Sequence, residues 1–198
     1  MKILALDTSH HFLTIALIDD DHLIASLQKP AYKQQSETIM VEIDRLFKEV
    51  GWIPSDLKAL VLTEGPGSYT GLRISMTIAK VLGLIQGIQL YTLSSLQLLS
   101  GTLENVYAVM DARANRVYLG HYKKGLAEFT DTIVTNEEAK KMIECDAMIV
   151  GDAMLVDQTA TVVFCPQHFV DLKAYWKPVK NFHTLVPHYL KATDDYGV

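Results

Sequence analysis

The chain has 198 residues, 49% of them hydrophobic, and a formal net charge of −5. That is enough apolar material for one large or two small cored domains, and the acidic balance argues against an autonomous nucleic-acid binder, which needs clustered Lys and Arg to neutralise phosphate. The short basic groups Lys123-Lys124, Lys140-Lys141 and Lys173, Lys177, Lys180 read as solvated surface.

From the N-terminus, Lys2-Ile-Leu-Ala-Leu-Asp7 is a nearly continuous apolar run suited to a strand buried on both faces. Residues 12–18 and 22–28 follow across short turns, giving a three-strand meander. Residues 36–50 carry Ile39, Ile43, Leu46, Phe47 and Val50 at helical spacing, with Ser36 the expected N-cap and Gly51 the expected C′ residue. A strand near 59–63 leads through a Gly-rich turn into a helix over 72–86, and residues 88–91 and 94–100 add a short strand and a helix. A second unit starts near Glu104: residues 106–111 are again an apolar strand ending in aspartate, 116–122 a second strand, 136–144 a helix and 147–150 a strand. The segment from Thr161 has prolines and aromatics but no assignable period. An α/β chain with mixed sheets and flanking helices is expected, in two subdomains, 1–103 and a reduced 104–198.

The cysteines, Cys145 and Cys165, have no second ligand pair beside them, and the histidines form no His-Glu-x-x-His pattern. No metal site is expected, and both thiols are expected buried or semi-buried. No apolar run reaches about 18 residues and no charged-then-apolar leader is visible, so the expectation is a cytoplasmic protein without membrane contact.

The most informative stretch is Gly65-Pro-Gly-Ser-Tyr-Thr-Gly-Leu-Arg-Ile74. A strand feeding a helix through such a turn can present backbone N–H groups where the macrodipole favours anions, and so hold phosphate. The competing reading is that Gly65, Gly67 and Gly71 only permit a sharp connection while Ser68 or Thr70 caps the helix. Neither the Lys-Ser/Thr of a P-loop nor the dinucleotide glycine spacing is present. After the first strand, Asp7 is followed by Thr8, Ser9 and the bulky pair His10-His11, with no glycine before Phe12, a hairpin poorly suited to wrap a triphosphate. Asp7, Thr8 and Ser9 either satisfy turn amides or offer hydrogen bonds to a ligand. Asp111 and Arg113 pair with each other or with a neighbouring strand.

On the helix over 36–50, Thr38, Met40 and Val41 add small or apolar surface that solvent alone does not explain. The helix over 72–86 is apolar nearly all round, and Ser75, Ala79 and Gly83 form a small-residue stripe that lets another helix approach closely. It is either the centre of one large core or a subunit interface with Met76, Lys80 and Leu84 on its exposed edge.

Taken in order, Ile3-Leu-Ala-Leu-Asp-Thr-Ser9, the Gly-Pro-Gly-Ser-Tyr-Thr-Gly-Leu-Arg string, Ser94-Ser-Leu96, Asp111-Ala-Arg113 with Val117-Tyr118, and Pro187-His-Tyr-Leu190 resemble the bacterial TsaB family, also called YeaZ, of the actin, Hsp70 and sugar-kinase superfamily. The resemblance implies an actin-like, ribonuclease H-like fold. It implies a non-catalytic subunit of the machinery that makes threonylcarbamoyladenosine beside the tRNA anticodon. Such a subunit pairs with its paralogue TsaD, is joined by the ATPase TsaE, meets tRNA only through the complex, and has a homodimer as the alternative when TsaD is absent. It further implies no catalytic residue and no cofactor, ATP binding by the isolated chain being weak or absent. Degenerate nucleotide-site loops would lie at Asp7, Thr8, Ser9, Gly65, Gly67, Ser68, Thr70, Gly71, Asp111 and Arg113. The two helices that meet TsaD in relatives put the interface at Thr38, Met40, Val41, Leu72, Arg73, Met76, Thr77, Lys80 and Leu84. Two other readings stay open: an ATP-binding phosphotransferase or ATPase of the same superfamily, against which the reduced second half counts, and a glycoprotease-like metallopeptidase. Against the latter, the helix over 36–50 lacks a His-x-x-x-His pair.

Overall fold

Burial of the first strand on both of its faces sets the architecture. The computed structural model describes residues 1–31 and 34–190. Its first elements are β1 (Lys2–Asp7), β2 (Phe12–Asp19), β3 (His22–Pro30), α1 (Gln35–Val50), β4 (Ala59–Gly65), α2 (Tyr69–Gln86), β5 (Gln89–Ser94) and α3 (Ser95–Ser100). There follow β6 (Val106–Arg113), β7 (Arg116–Lys123), β8 (Leu126–Ala127), β9 (Thr132–Thr135), α4 (Asn136–Met142), β10 (Met148–Gly151), α5 (Cys165–Asp171) and β11 (Lys177–Pro178). One sheet runs β11-β5-β4-β1-β2-β3, the other β10-β6-β7-β8 with β9 also on β7. In the first, β1 is antiparallel to β2 and parallel to β4, and β4 is parallel to β5. This 3-2-1-4-5 order is the ribonuclease H-like arrangement of an actin-like subdomain.

Because successive strand residues point to opposite faces, β1 feeds two cores. Leu4 and Leu6, with Leu60 and Leu62 of β4, join Ile39, Ile43, Leu46 and Phe47 of α1 and Met76 and Ala79 of α2. Ile3 and Ala5, with Ala59 and Val61, pack instead with α3, α5 and the inner residues Val106, Ala108 and Met110 of β6. The outer face of β6 carries Tyr107 and Val109, covered by Ala139 of α4 and by Ala153 and Val156. Helices and sheets therefore alternate in layers. Burying each Leu or Ile contributes about 1.5–3 kcal/mol, which makes β1 and β4 the thermodynamic centre.

The echo between the two apolar strands ending in aspartate has a topological counterpart. Like β1, β6 is antiparallel to the strand that follows it and parallel to a later one, β10. The segment without assignable period supplies α5, only seven residues long, whose Phe169 is fully buried. Gln28 of β3 fastens its start: the amide donates to the Val163 carbonyl at 3.0 Å and accepts the Cys165 N–H at 2.8 Å. Burial pushes the Cys165 thiol up to about 12. Cys145 is exposed, contrary to expectation, because it follows α4 in a surface turn.

Two helix starts differ from the sequence reading. Ser36 does not cap α1; the helix begins at Gln35, whose buried side chain is drawn inward to donate to the carbonyls of His10 and Phe12 at 2.8 and 3.3 Å. Ser68 caps α2, accepting the Gly71 N–H at 3.2 Å, so that helix starts three residues before Leu72, at Tyr69. Gly51 ends α1 in the left-handed conformation, as expected. Among the described residues no helix is long and apolar enough to cross a membrane.

Candidate functional site

The loop after β1, the start of α2, the end of β6 and the residue after β10 enclose a cavity of about 550 Å³ between the two sheets. Its lining includes Ser9, His10, His11, Gly67, Ser68, Asp111 and Asp152. The sequence-predicted loops at Ser9, Gly67, Ser68, Thr70, Asp111 and Arg113 therefore do converge, whereas Asp7, Thr8, Gly65 and Gly71 lie beneath the cavity as its support.

Asp7 is buried, and its Oδ1 accepts the Thr63 hydroxyl at 2.6 Å and the Ser9 N–H at 2.9 Å. Thr8 is enclosed as well and donates to the Gly71 carbonyl at 2.6 Å. These bonds favour the reading in which Asp7 and Thr8 satisfy local groups. The Gly-rich turn behaves likewise. The Ser68 N–H donates to the Ser9 carbonyl at 2.7 Å and is thereby taken from any ligand. A Cβ at Gly71 would overlap the Thr8 carbonyl oxygen, and one at Gly67, where φ is +150°, would overlap that of Ser9. Glycine is required here for close backbone approach between the turn and the β1–β2 loop. Gly65 is similarly covered by the backbone of His188, whose N–H donates to the Glu64 carbonyl at 2.6 Å. Tyr189 then stacks on Tyr69 with ring centroids 5.3 Å apart. The Pro187-His-Tyr-Leu190 motif thus seats the Gly-rich turn from outside.

Across the cavity, Asp111 pairs with Arg113 at 2.9 Å and accepts the Arg113 N–H at 2.8 Å. Of the two alternatives, the pair with each other is present, and it lies at the surface, the Arg113 side chain being 72% exposed. Residues Arg113, Ala114 and Asn115 all have positive φ, which turns β6 sharply into β7. The Asp111 N–H donates to Asp152 Oδ2 at 2.8 Å. Burial alone raises the Asp152 pKa, but the hydrogen bond and charge of His10, the Asp111 N–H and His11 outweigh it and hold the carboxyl below its usual range. Burial pushes the Tyr118 phenol up. The juxtaposition of Asp152 with His10 and His11 was not visible in sequence, since 142 residues separate His10 from Asp152.

The second feature is the outer face of α1 and α2. Met40 and Val41 on α1, and Val81, Leu84 and Ile85 on α2, are exposed, with a groove of about 400 Å³ between the helices bordered by Met40, Arg73 and Thr77. Thr38 and Lys80 are half-buried; Arg73 is held by Tyr69 at 2.8 Å, and Thr77 donates to the Arg73 carbonyl at 2.7 Å. Two expected interface residues belong elsewhere. Leu72 and Met76 face the chain's own core, at 0% and 3% exposure. Positions four apart advance about 40° round a helix, so Met76 and Leu84 differ by about 80° and a shared stripe does not hold over two such steps. The small stripe Ser75, Ala79 and Gly83 is buried too; a Cβ at Gly83 would lie 3.3 Å from Leu90 of β5, so the stripe lets α2 approach its own sheet rather than a foreign helix.

Comparison with known proteins agrees with this architecture. Residues 28–166, more than half of the chain, match the family model described as TsaD: tRNA N6-adenosine threonylcarbamoyltransferase. The tRNA threonylcarbamoyladenosine biosynthesis protein TsaB of Bacillus subtilis is 38% identical over 134 residues, 65% of this chain and 58% of its own length. The Escherichia coli protein of the same name is 28% identical over 130 residues, 63% of this chain and 56% of its own. The alignments thus span little more than half the length of these two relatives. YeaZ from Pseudomonas aeruginosa, at 21% identity, superposes with a TM-score of 0.79 over 96% of this chain and 99% of that one, which is a likeness of fold. Fold, motif order and family match together place the chain in the TsaB/YeaZ family of the actin-like superfamily.

Proposed function

We propose that the chain is a non-catalytic scaffold subunit for threonylcarbamoyladenosine formation on tRNA, pairing through α1 and α2 with a TsaD transferase and activating it. The observation that carries this reading is the apolar face of Met40, Val41, Val81, Leu84 and Ile85, left in solvent on two adjacent helices that are otherwise well packed. The cavity side supports it: Asp7 Oδ1, the Thr8 hydroxyl and the Ser68 N–H are occupied by internal hydrogen bonds, which weakens the case for ATP binding by the isolated chain. On this reading tRNA and the ATPase TsaE are met only through the assembled complex in the cytoplasm. The same face closes a homodimer when TsaD is absent. The two halves divided near residue 104 act as two actin-like subdomains, the second reduced, with β11 of the second half returning to pair with β5 of the first.

Co-purification with a TsaD homologue is the test. Leu84→Glu and Ile85→Glu should leave the far-ultraviolet circular dichroism unchanged and abolish capture of TsaD, because each places a charge in an apolar interface. Folded double variants that retain full capture would sink the assignment. Equilibrium binding of labelled ATP to the isolated chain separates the scaffold from the phosphotransferase reading, which requires saturable binding.

A further inference from the structure

We propose that His10, His11 and Asp152 form a binding site for a divalent transition-metal ion, with zinc best matched to two imidazoles and one carboxylate. The three donor groups come from different sheets: the histidines from the loop after β1, the aspartate from the end of β10. Their ligand atoms all lie within 4.8 Å of one another. His10 Nε2 is 3.0 Å from Asp152 Oδ2, and His11 Nε2 is 3.5 Å from Oδ1. A tetrahedral zinc with bonds of about 2.1 Å holds its ligands about 3.4 Å apart, so the two separations, each to a different oxygen of the Asp152 carboxylate, lie near that spacing and a small rotation of the carboxylate brings one oxygen to both histidines. Imidazole nitrogen and carboxylate oxygen are also the donor types that borderline ions such as zinc and cobalt select.

The supporting shell is built. Asp152 is oriented by the Asp111 N–H on Oδ2, and its own N–H donates to the Val109 carbonyl at 2.8 Å. Gly151, at φ +87°, lies so close to the Val109 carbonyl that a side chain would overlap it, and this fixes the backbone from which Asp152 projects. On the other side the His10 carbonyl is held by Gln35 from α1. Ligands whose carboxylate and backbone are already tethered lose little freedom on binding, the condition that outer partners meet in established metal centres. His10 is largely enclosed, while His11, at 46% side-chain exposure, borders the solvent and gives an entry path. All three residues line the 550 Å³ cavity, which leaves the fourth coordination position to water or to an anion bound there. This inference stands apart from the scaffold reading, since it concerns the cavity and not the α1/α2 face.

The test is titration of the full chain, stripped with EDTA, with Zn²⁺ against a chromophoric chelator and with Co²⁺ followed in the visible. One equivalent should bind, with a tetrahedral cobalt spectrum lacking a thiolate charge-transfer band. His11→Gln and Asp152→Asn should each weaken binding at least ~tenfold while circular dichroism stays native, and Cys145→Ser should change nothing. Failure to take up an equivalent would mean that the three side chains only hydrogen-bond to each other, and overturns the proposal. So does an equivalent whose affinity is unchanged in both ligand variants, or one lost with Cys145→Ser.

Discussion

The two ends of α2 are built under opposite constraints. At the N-terminal end, Gly71 lies against the Thr8 backbone, Ser68 caps the helix and donates to Ser9, and Leu72 and Met76 are enclosed. At the C-terminal end, Val81, Leu84 and Ile85 stand in solvent, and Gly87 closes the helix in the left-handed conformation with open space around it. One end has no room for a methyl group; the other has apolar surface to spare. The glycine string therefore serves backbone packing beneath the cavity, while the exposed apolar surface lies about three turns further along the same helix.

The sharpest way to break this contrast is Met76→Glu. With Met76 in the core, the buried charge should destabilise the isolated chain by more than about 4 kcal/mol and abolish its cooperative thermal transition. A stable, native-like variant would put Met76 back on the outer face. Gly71→Ala comes next, with an expected loss of about 3 kcal/mol in urea denaturation because backbone must shift to admit the Cβ. Gly87→Ala is its counterpart at the open end and should lose only about 1 kcal/mol, the cost of a left-handed alanine. Equal losses at the two glycines would erase the distinction.

A smaller effect should come from the end of β5, beside Gly65, where Ser94 and Tyr122 both donate to part-buried Asp131. Burial raises the Asp131 pKa, and the two hydrogen bonds only partly oppose it. The native chain then holds a proton that the unfolded chain releases above about pH 4, so stability falls as pH rises from there through the raised value. Asp131→Asn should flatten the melting-temperature profile above about pH 4, where that fall occurs; a profile superimposable on the parent's contradicts the assignment. Smallest is Asp111→Asn, where loss of the exposed pair with Arg113 should change stability by only about 0–1 kcal/mol. A thermal shift well beyond a few degrees would mean the hairpin depends on that pair far more than its exposure implies.

Legibility in the sequence followed the range of the interactions. The strand cores were readable because β1 and β4 are buried on both faces, and Gly51 was readable because a left-handed helix end is a local event. The start of α1 differs because Gln35 is claimed by the His10 and Phe12 carbonyls, more than twenty residues away in sequence. α5 was missed because seven residues offer too few turns for a period to show, and its placement depends on Gln28 of β3. At the cavity, residue types pointed to the right loops, but the bonds that occupy Asp7 and the Ser68 N–H, and the approach of Asp152 to His10, are tertiary.

In the β6–β7 hairpin Arg113, Ala114 and Asn115 are all left-handed without a glycine among them; for Arg113 and Ala114 that conformation costs about 1–2 kcal/mol each, while asparagine tolerates it better. The hairpin stays there because the strands on either side are paired and Asp111 ties back to the Arg113 N–H. That rim of the cavity is therefore held under backbone strain that β1 does not carry, and its amides should exchange with solvent long before those of β1.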